Sequence, residues 1–372
     1  MKMSILKQQR RKSFRALITA TLCIGAVALV SLTLAAAPAW AAKYTMTIAH
    51  LYPDDLTNNE AAPSLERFKQ LVESATNGDV EVKIFGGGAL GSEVETGKQA
   101  QMGKTVQSVL ISSGAASSFY KNYQIVVTPF LFPNYKTAWA FFDSPWFANF
   151  MKGMRKESGL RYLGTFDDGG GFVAFTNNKR LIKSVDDIKG LKIRVEENPA
   201  HITMMKSLGA SATPLPWGEV QTALATGLAD GQFNAPGVND MFKLADVTKY
   251  TTWSGHVYNS VTWVVSEAWF SKLPEGYKKT IIRAAREAVT IGHGVATQIS
   301  IVGWVNSCKN FEECYILPDA EKAKMRALAR PAYKKWITTD FGVAVGDVDA
   351  LWAEVDRISA ELEKNWMDSY LK

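Results

Sequence analysis

From Tyr44 onward the chain switches between two periods. Tyr44, Met46 and Ile48 alternate with Thr45 and Thr47, the two-residue period of a strand. Ala62, Leu65, Phe68 and Val72 then recur at helical spacing between Asn59 and Thr76, and Asn77-Gly78-Asp79 supplies a stop and a turn. Val80, Val82 and Ile84 alternate again with Glu81 and Lys83. A second cycle predicts a helix over Glu93 to Met102 and a short buried strand over Ser108 to Ser112. Cycles of this kind predict an α/β fold with a mostly parallel sheet covered by helices.

The middle of the chain repeats the rhythm. Lys192-Ile193-Arg194-Val195 predicts a strand, and Ile202, Met205 and Leu208 mark a helix. Pro216 introduces another helix, with Val220, Leu224 and Leu228 every four residues, before Gly231 breaks it and Gln232-Phe233-Asn234 opens a strand. Tyr258 to Ser266 is rich in strand formers. A long helix is expected from Tyr277 to about Trp304, and an amphipathic one from Asp347 to Tyr370 with Leu351, Val355, Ile358 and Leu362 on one side. There is no solenoid-length repeat, no low-complexity tract and no flexible linker between the halves. Two α/β lobes without a tether imply strands that cross between them and a cleft suited to a small ligand.

Residues 1–41 have the features of an export signal. A basic run ends at Arg15, Ala16 to Ala37 is almost wholly apolar, and Ala39-Trp40-Ala41 places small residues at the two positions a signal peptidase inspects. Cleavage is expected after Ala41, which exports the mature chain. The competing reading is a permanent anchor, since the run is long enough to span a bilayer. Arg10-Arg11 hints at the twin-arginine route, but Phe14 falls one place late, so Sec export is favoured. No further apolar stretch of about eighteen residues is evident, which predicts a soluble mature body. The leader holds six bases and no acid; setting those six aside leaves the remaining bases in balance with the 36 acids. A basic nucleic-acid surface is therefore not indicated. Cys308 and Cys314, with five residues between them in an exported chain, are read as a local disulfide, with two reduced buried thiols as the alternative.

Gly86-Gly87-Gly88-Ala89-Leu90-Gly91 satisfies G-x-G-x-x-G between a strand and a helix, but no acid follows between Glu95 and Asp143 to hold a ribose. The glycines are read as a tight turn at the cleft edge, and no cofactor is expected. His50, His201, His256 and His293 stand in no ligand spacing, so no metal is expected. No G-x-S-x-G elbow occurs, and nothing singles out a pair of catalytic carboxylates. Most of the 11 Trp, 12 Tyr and 18 Phe must be core; only Trp217 and Phe233 stand beside segments expected at the cleft. Arg194 ends a strand among apolar neighbours. Its planar fork suits a carboxylate, and a structural salt bridge to Glu196 or Glu197 is the equal alternative.

Ser184-Val185-Asp186-Asp187-Ile188-Lys189-Gly190-Leu191-Lys192-Ile193-Arg194-Val195 resembles the signature of the periplasmic solute-binding subunits of tripartite ATP-independent (TRAP) transporters, the DctP-like family. Leu208-Gly209-Ala210, Pro214-Leu215-Pro216-Trp217-Gly218-Glu219-Val220-Gln221-Thr222-Ala223-Leu224, Gly227 and Asp230-Gly231-Gln232 follow in the family's order, and Gly88-Ala89-Leu90-Gly91 and Pro129-Phe130-Leu131-Phe132 fit as well. The resemblance covers essentially the whole mature chain. It implies an α/β, two-lobed periplasmic binding protein fold: mixed sheets flanked by helices, interlobe strands and a long helix spanning both lobes. The expected division is lobe I at 42–171 with 260–299, lobe II at 172–259 with 300–345, and a C-terminal helix at 346–372.

It also implies that Arg194 bridges a ligand carboxylate, that Asn234 hydrogen-bonds the ligand and that Trp217 lines the pocket. Ser112 and Ser113 fall in a strand-end loop that faces the cleft in relatives, and His50 and Tyr52 in another such loop; Glu93 either reaches the site as well or is simply the first turn of a helix. Two departures matter. A second arginine of some relatives is replaced by Ala174, and Asp-Gly-Gln-Glu-Asn-Pro becomes Asp230-Gly231-Gln232-Phe233-Asn234-Ala235. These point to a monocarboxylate with an apolar or uncharged body, leaving aromatic, keto and sugar acids open. The implied partner is a two-subunit membrane permease driven by an ion gradient. The chain is expected to be a monomer and not an enzyme. The rival readings are the binding protein of an ATP-driven importer and an exported enzyme acting on an organic acid or sugar.

Overall fold

β1 (Tyr44–Ala49) and β2 (Val80–Phe85) run parallel in full register, Tyr44 opposite Val80 and Ala49 opposite Phe85. The helix Ala61–Ala75 joins them and buries Leu65, Phe68 and Val72 on one face. The helix Glu93–Met102 starts on a capping box in which Ser92 and Glu95 satisfy each other's backbone N–H. It delivers the chain into β3 (Ser108–Ser112), which pairs parallel to β1. The computed structural model describes residues 42–371, and the body from Tyr44 onward is one compact unit. The expected export segment, with its cut after Ala41, lies outside the described residues.

Six more strands complete one mixed sheet: β4 (Leu160–Asn177), β5 (Lys192–Val195), β6 (Ser211–Pro214), β7 (Gly231–Asn234), β8 (Tyr250–Ser266) and β9 (Glu313–Ile316). The order is β2-β1-β3-β8-β4-β7-β5-β6, with β9 added to β8. The mostly parallel sheet predicted from the βαβ rhythm is found only toward the two edges and at β9. The centre is antiparallel, through β3–β8, β8–β4 and β4–β7. The reason is that β4 and β8, 18 and 17 residues long, run through both halves of the sheet. Their ladder loses register between Asp167, opposite Ser260, and Phe172, opposite Tyr258. Gly169, Gly170 and Gly171 occupy that gap at φ of 56°, 100° and 73°, a run of left-handed backbone that side chains resist.

The hydrophobic core divides on either side of this kink. Met46, Phe68, Phe166, Trp263 and Val289 belong to one cluster, and Val109, Tyr123, Phe141, Phe147 and Leu351 to another beside the first half of the sheet. Phe175, Ile193, Met205, Phe233 and Leu317 form the core of the second half. The helix Glu275–Asn310 packs along β4 and buries Ile281, Ala285, Val289 and Ala296. By length and composition it could cross a membrane, which corrects the expectation that no such stretch follows the leader. One of its faces is covered by the fold. The final helix, Val345–Leu371, buries Val348, Leu351, Val355 and Ile358 against its own chain. Cys308, near the end of the long helix, and Cys314, in β9, form the disulfide, with Cα atoms 5.1 Å apart.

Candidate ligand-binding site

Strand parity decides where Arg194 points. Ile193 and Val195 enter the core of the second half, so Arg194 projects from the opposite face of the sheet. β5 and β7 place Arg194 level with Gln232, and Asn234 lies two residues further along the same face. The arginine is only 4% exposed. Its Nε and Nη2 both donate to the Leu215 carbonyl, at 3.0 and 2.7 Å, and its guanidinium carbon lies 5.6 Å from the centre of the Trp217 ring. Burial works against its charge, while Glu196, Glu93, Glu197 and Asp168 favour it. Among the described residues no carboxylate takes Arg194 as an ion-pair partner; the nearby Glu196 instead faces His201 Nδ1 at 3.3 Å. The local salt bridge weighed for Arg194 is not what the structure contains.

The first half of the sheet supplies the facing wall. Ser112 ends β3 and caps the short helix Ser113–Ala116, its hydroxyl accepting from the Ala115 N–H at 3.3 Å. Glu93 accepts the Ser112 N–H at 2.6 Å and the Ser112 hydroxyl at 2.9 Å. Ser113 is buried, with its hydroxyl unpartnered. Tyr52 donates to Asp168 at 2.7 Å, and the Gly169 N–H donates to the fully buried Glu60 at 3.0 Å. Burial, followed by the neighbouring Glu196, raises the Glu93 pKa to about 8, against the pull of its Ser112 bonds. Burial and Asp168 raise Glu60 to about 8, and burial raises Asp168 to about 6. His50 is lowered to about 4 by burial, with Asp54 3.8 Å away opposing that shift. Glu196 reaches this wall from the second half: a Cβ built on Gly114 would lie 2.2 Å from its Oε2.

Arg194, Trp217, Glu93, Ser112 and Tyr52 are thus brought together, the last through Asp168. His50 lies beside Tyr52, ring centres 6.2 Å apart, with neither nitrogen hydrogen-bonded. Asn234 lies on the Arg194 face, but its amide already bonds Gln232 at 2.7 Å and Asn259 at 3.2 Å. Phe233 is a correction. As the residue between Gln232 and Asn234 it points to the other face, into the core beside Phe175 and His256. Sequence reasoning missed Asp168 and Glu60 altogether; the only signal for Asp168 was its place before three glycines.

The Gly86–Gly91 segment forms the tight turn expected of it. The Gly87 N–H donates to the Tyr52 carbonyl at 2.7 Å and the Gly88 N–H to the His50 carbonyl at 3.1 Å, so these donors are already engaged. Among the described residues no His, Cys, Asp and Glu cluster is arranged to hold a metal. A cavity of about 760 Å³ lined by Phe130, Phe172, Trp253 and Arg326 lies away from Arg194 and contains none of the predicted site residues.

The model of the bacterial extracellular solute-binding protein family 7, DctP, matches residues 49–339. The chain is 34% identical over 243 residues to a solute-binding protein of Verminephrobacter eiseniae, covering 63% of this chain and 69% of that one. Its fold superimposes, with a TM-score of 0.79 and 27% identity, on a TRAP periplasmic solute-binding protein of Desulfovibrio salexigens with bound orotic acid, covering 85% and 99% of the two chains. With a TM-score of 0.78 and 25% identity it matches the sugar acid binding protein of Advenella mimigardefordensis in complex with galactonate, covering 84% and 98%. The chain belongs to the DctP family of TRAP solute-binding proteins, and its architecture is the two-lobed periplasmic binding protein fold. Members of this family are periplasmic binding proteins.

Proposed function

We propose that this protein captures a small organic acid between its lobes through a salt bridge from Arg194 to the ligand carboxylate, and delivers it to a two-subunit membrane permease. One observation carries the reading: Arg194 is a buried cation, oriented by Leu215 and Trp217, with carboxylates nearby but, among the described residues, none in ion-pair contact with it. A desolvated charge of this kind is costly until an anion meets it. The orotic acid and galactonate of the two structural relatives each offer one carboxylate. Ser112, Ser113 and Asn234 supply directional polar groups, and Trp217 supplies area.

The lobes assigned to this mechanism are 42–171 with 260–299 and 172–259 with 300–345, followed by the C-terminal helix 346–372. Their hinge is the glycine run of β4. Closure around the ligand excludes water, strengthens the ion pair and presents a changed outer surface to the permease. The mature chain begins after Ala41, works in the periplasm as a monomer, and releases its cargo unchanged.

A thermal-shift screen of the mature protein against organic acids identifies the ligand, because a tight binder raises the melting temperature by mass action. Calorimetry of Arg194→Ala against that ligand then tests the mechanism, with an expected loss of roughly 2–5 kcal/mol, the range for removing one member of a buried charge pair. Wild-type affinity in the variant rejects the assignment of Arg194. Succinate-like diacids outranking monoacids count against the single carboxylate, and turnover of bound ligand over hours marks an enzyme.

A further inference from the structure

Five carboxylates gather around the ground that Arg194 faces, and the carboxylate bridge uses none of them. Glu93, Asp168 and Glu196 each act electrostatically on Arg194, Asp168 and Glu196 act on each other, and Glu60 lies beside Asp168. Glu197, in the segment after β5, also acts on Arg194; His201 packs on Phe233 with ring centres 5.3 Å apart and reaches Glu196 from the core side; and Tyr52 stands on the opposite wall. The acids are not satisfied among themselves. Glu60 is fully buried, and while its Oε1 holds the Gly169 N–H, its Oε2 has no partner. Glu196 Oε2 makes no hydrogen bond, although His201 Nδ1 lies 3.3 Å from it, and a Cβ on Gly114 would lie 2.2 Å from it; the Ser113 hydroxyl is buried and equally unpartnered.

A ligand bringing only a carboxylate neutralises Arg194, whose charge otherwise favours the ionised Asp168, and gives these acids no cation in exchange. Hydroxyl groups could donate to the free oxygens, but they leave the sign of the field unchanged. A positive group on the ligand supplies both donors and charge. We infer that the ligand carries, besides the carboxylate held by Arg194, a protonated nitrogen received by Glu93, Asp168 and Glu196: it is an amino or imino acid, or a similar zwitterion. The inference rests on the Arg194 reading above. It replaces the expectation of an uncharged body, half of which rested on Phe233, a residue that faces the core.

The mature protein is titrated calorimetrically at pH 7.5 with matched pairs: proline and tetrahydrofuran-2-carboxylate, 2-aminobutyrate and 2-hydroxybutyrate, 4-aminobutyrate and 4-hydroxybutyrate. Each titration is run in phosphate and in Tris, whose different heats of ionisation reveal proton exchange. The nitrogen member of at least one pair is expected to bind tenfold or more tighter than its oxygen partner. It should also release protons, because a cation among Glu93, Glu60 and Asp168, whose pKa values are raised to about 8, 8 and 6, favours their ionised forms. Glu93→Gln, with Asp168→Asn as a second variant, should shrink the nitrogen-to-oxygen ratio at least fivefold. Oxygen members that bind as tightly with proton uptake, or a ratio unmoved in both variants, overturn the inference. Failure of every pair overturns it too; an Arg194-dependent acid found in the wider screen would then leave the carboxylate reading standing, and no such acid would remove both.

Discussion

The Arg194 guanidinium lies over the Trp217 ring at 5.6 Å, and both residues are tied to one short segment. Leu215 N donates to the Val195 carbonyl at 3.1 Å, and Leu215 O returns two bonds to Arg194. Pro216 then turns the chain so that Trp217 reaches the guanidinium. The cation is held in one orientation before any ligand arrives, which lowers the ordering cost of binding. Trp217→Ala is therefore expected to weaken ligand binding by about 0.5–2 kcal/mol, the range of a cation–π contact. Trp217→Phe should retain most of the affinity. Equal affinities for wild type and the Ala variant in calorimetry would show that the stack is idle.

Glu60 should make stability fall as pH rises. Its pKa is raised from 4.5 to about 8, mainly by burial. Between those values the folded state holds a proton that the unfolded state has lost, so stability declines with pH across that window and levels off above about 8. Glu93 and Asp168 contribute in the same direction. Glu60→Gln keeps an acceptor for the Gly169 N–H and removes the titration. Its melting temperature should gain on wild type steadily from pH 5 to pH 8, with a full effect on the order of 4 kcal/mol. Parallel melting curves for the two proteins over that range would reject the buried, titrating Glu60.

Gly86 has a different constraint: space. A Cβ there would lie 2.1 Å from Asp54 Oδ1, 2.7 Å from His50 Cε1 and 2.7 Å from the Tyr52 carbonyl. Gly86→Ala must push the loop carrying His50 and Tyr52 away, and with it the Tyr52 hydroxyl that bonds Asp168. The variant should lose about 1–3 kcal/mol of stability, as overpacked sites do. It should also bind ligand several-fold more weakly. Denaturant melts and calorimetry on one preparation check both, and unchanged affinity would detach this loop from the site.

Arg194 was legible in the sequence because its strand is short, its turn is marked by Asp186 to Gly190, and a charge among apolar neighbours stands out. Phe233 was not, because Gln232, Phe233 and Asn234 are all buried, and alternation cannot say which face of a doubly covered strand is cleft and which is core. The pairing of Phe233 with Phe175 decides it. β4 escaped notice because Gly164 and the run Gly169 to Gly171 interrupt the two-residue period where the strand shifts register. Glu60, Asp168 and Glu196 follow no spacing rule. They become a cluster only when three distant segments meet, which is a property of tertiary structure.

Asp167 supplies the most direct test of the crossing between the halves. It is 1% exposed and accepts from the Trp139 indole at 3.0 and 2.9 Å, from His293 Nδ1 at 2.9 Å and from the Tyr258 hydroxyl. Those partners come from the helix Tyr135–Phe142, the long helix and β8, and they converge two residues before the glycine run. Burial raises the Asp167 pKa, and its bond to His293 is the largest opposing influence. Asp167→Leu fills a similar volume but leaves three donors without an acceptor, so the loss should reach about 3–5 kcal/mol. Asp167→Asn keeps an acceptor oxygen and should lose only about 1–2 kcal/mol. The order of the two variants in urea titrations separates a hydrogen-bonding role from simple packing: if the leucine protein matches or exceeds the asparagine protein, the carboxylate is not what fastens the long helix to β4 at this point.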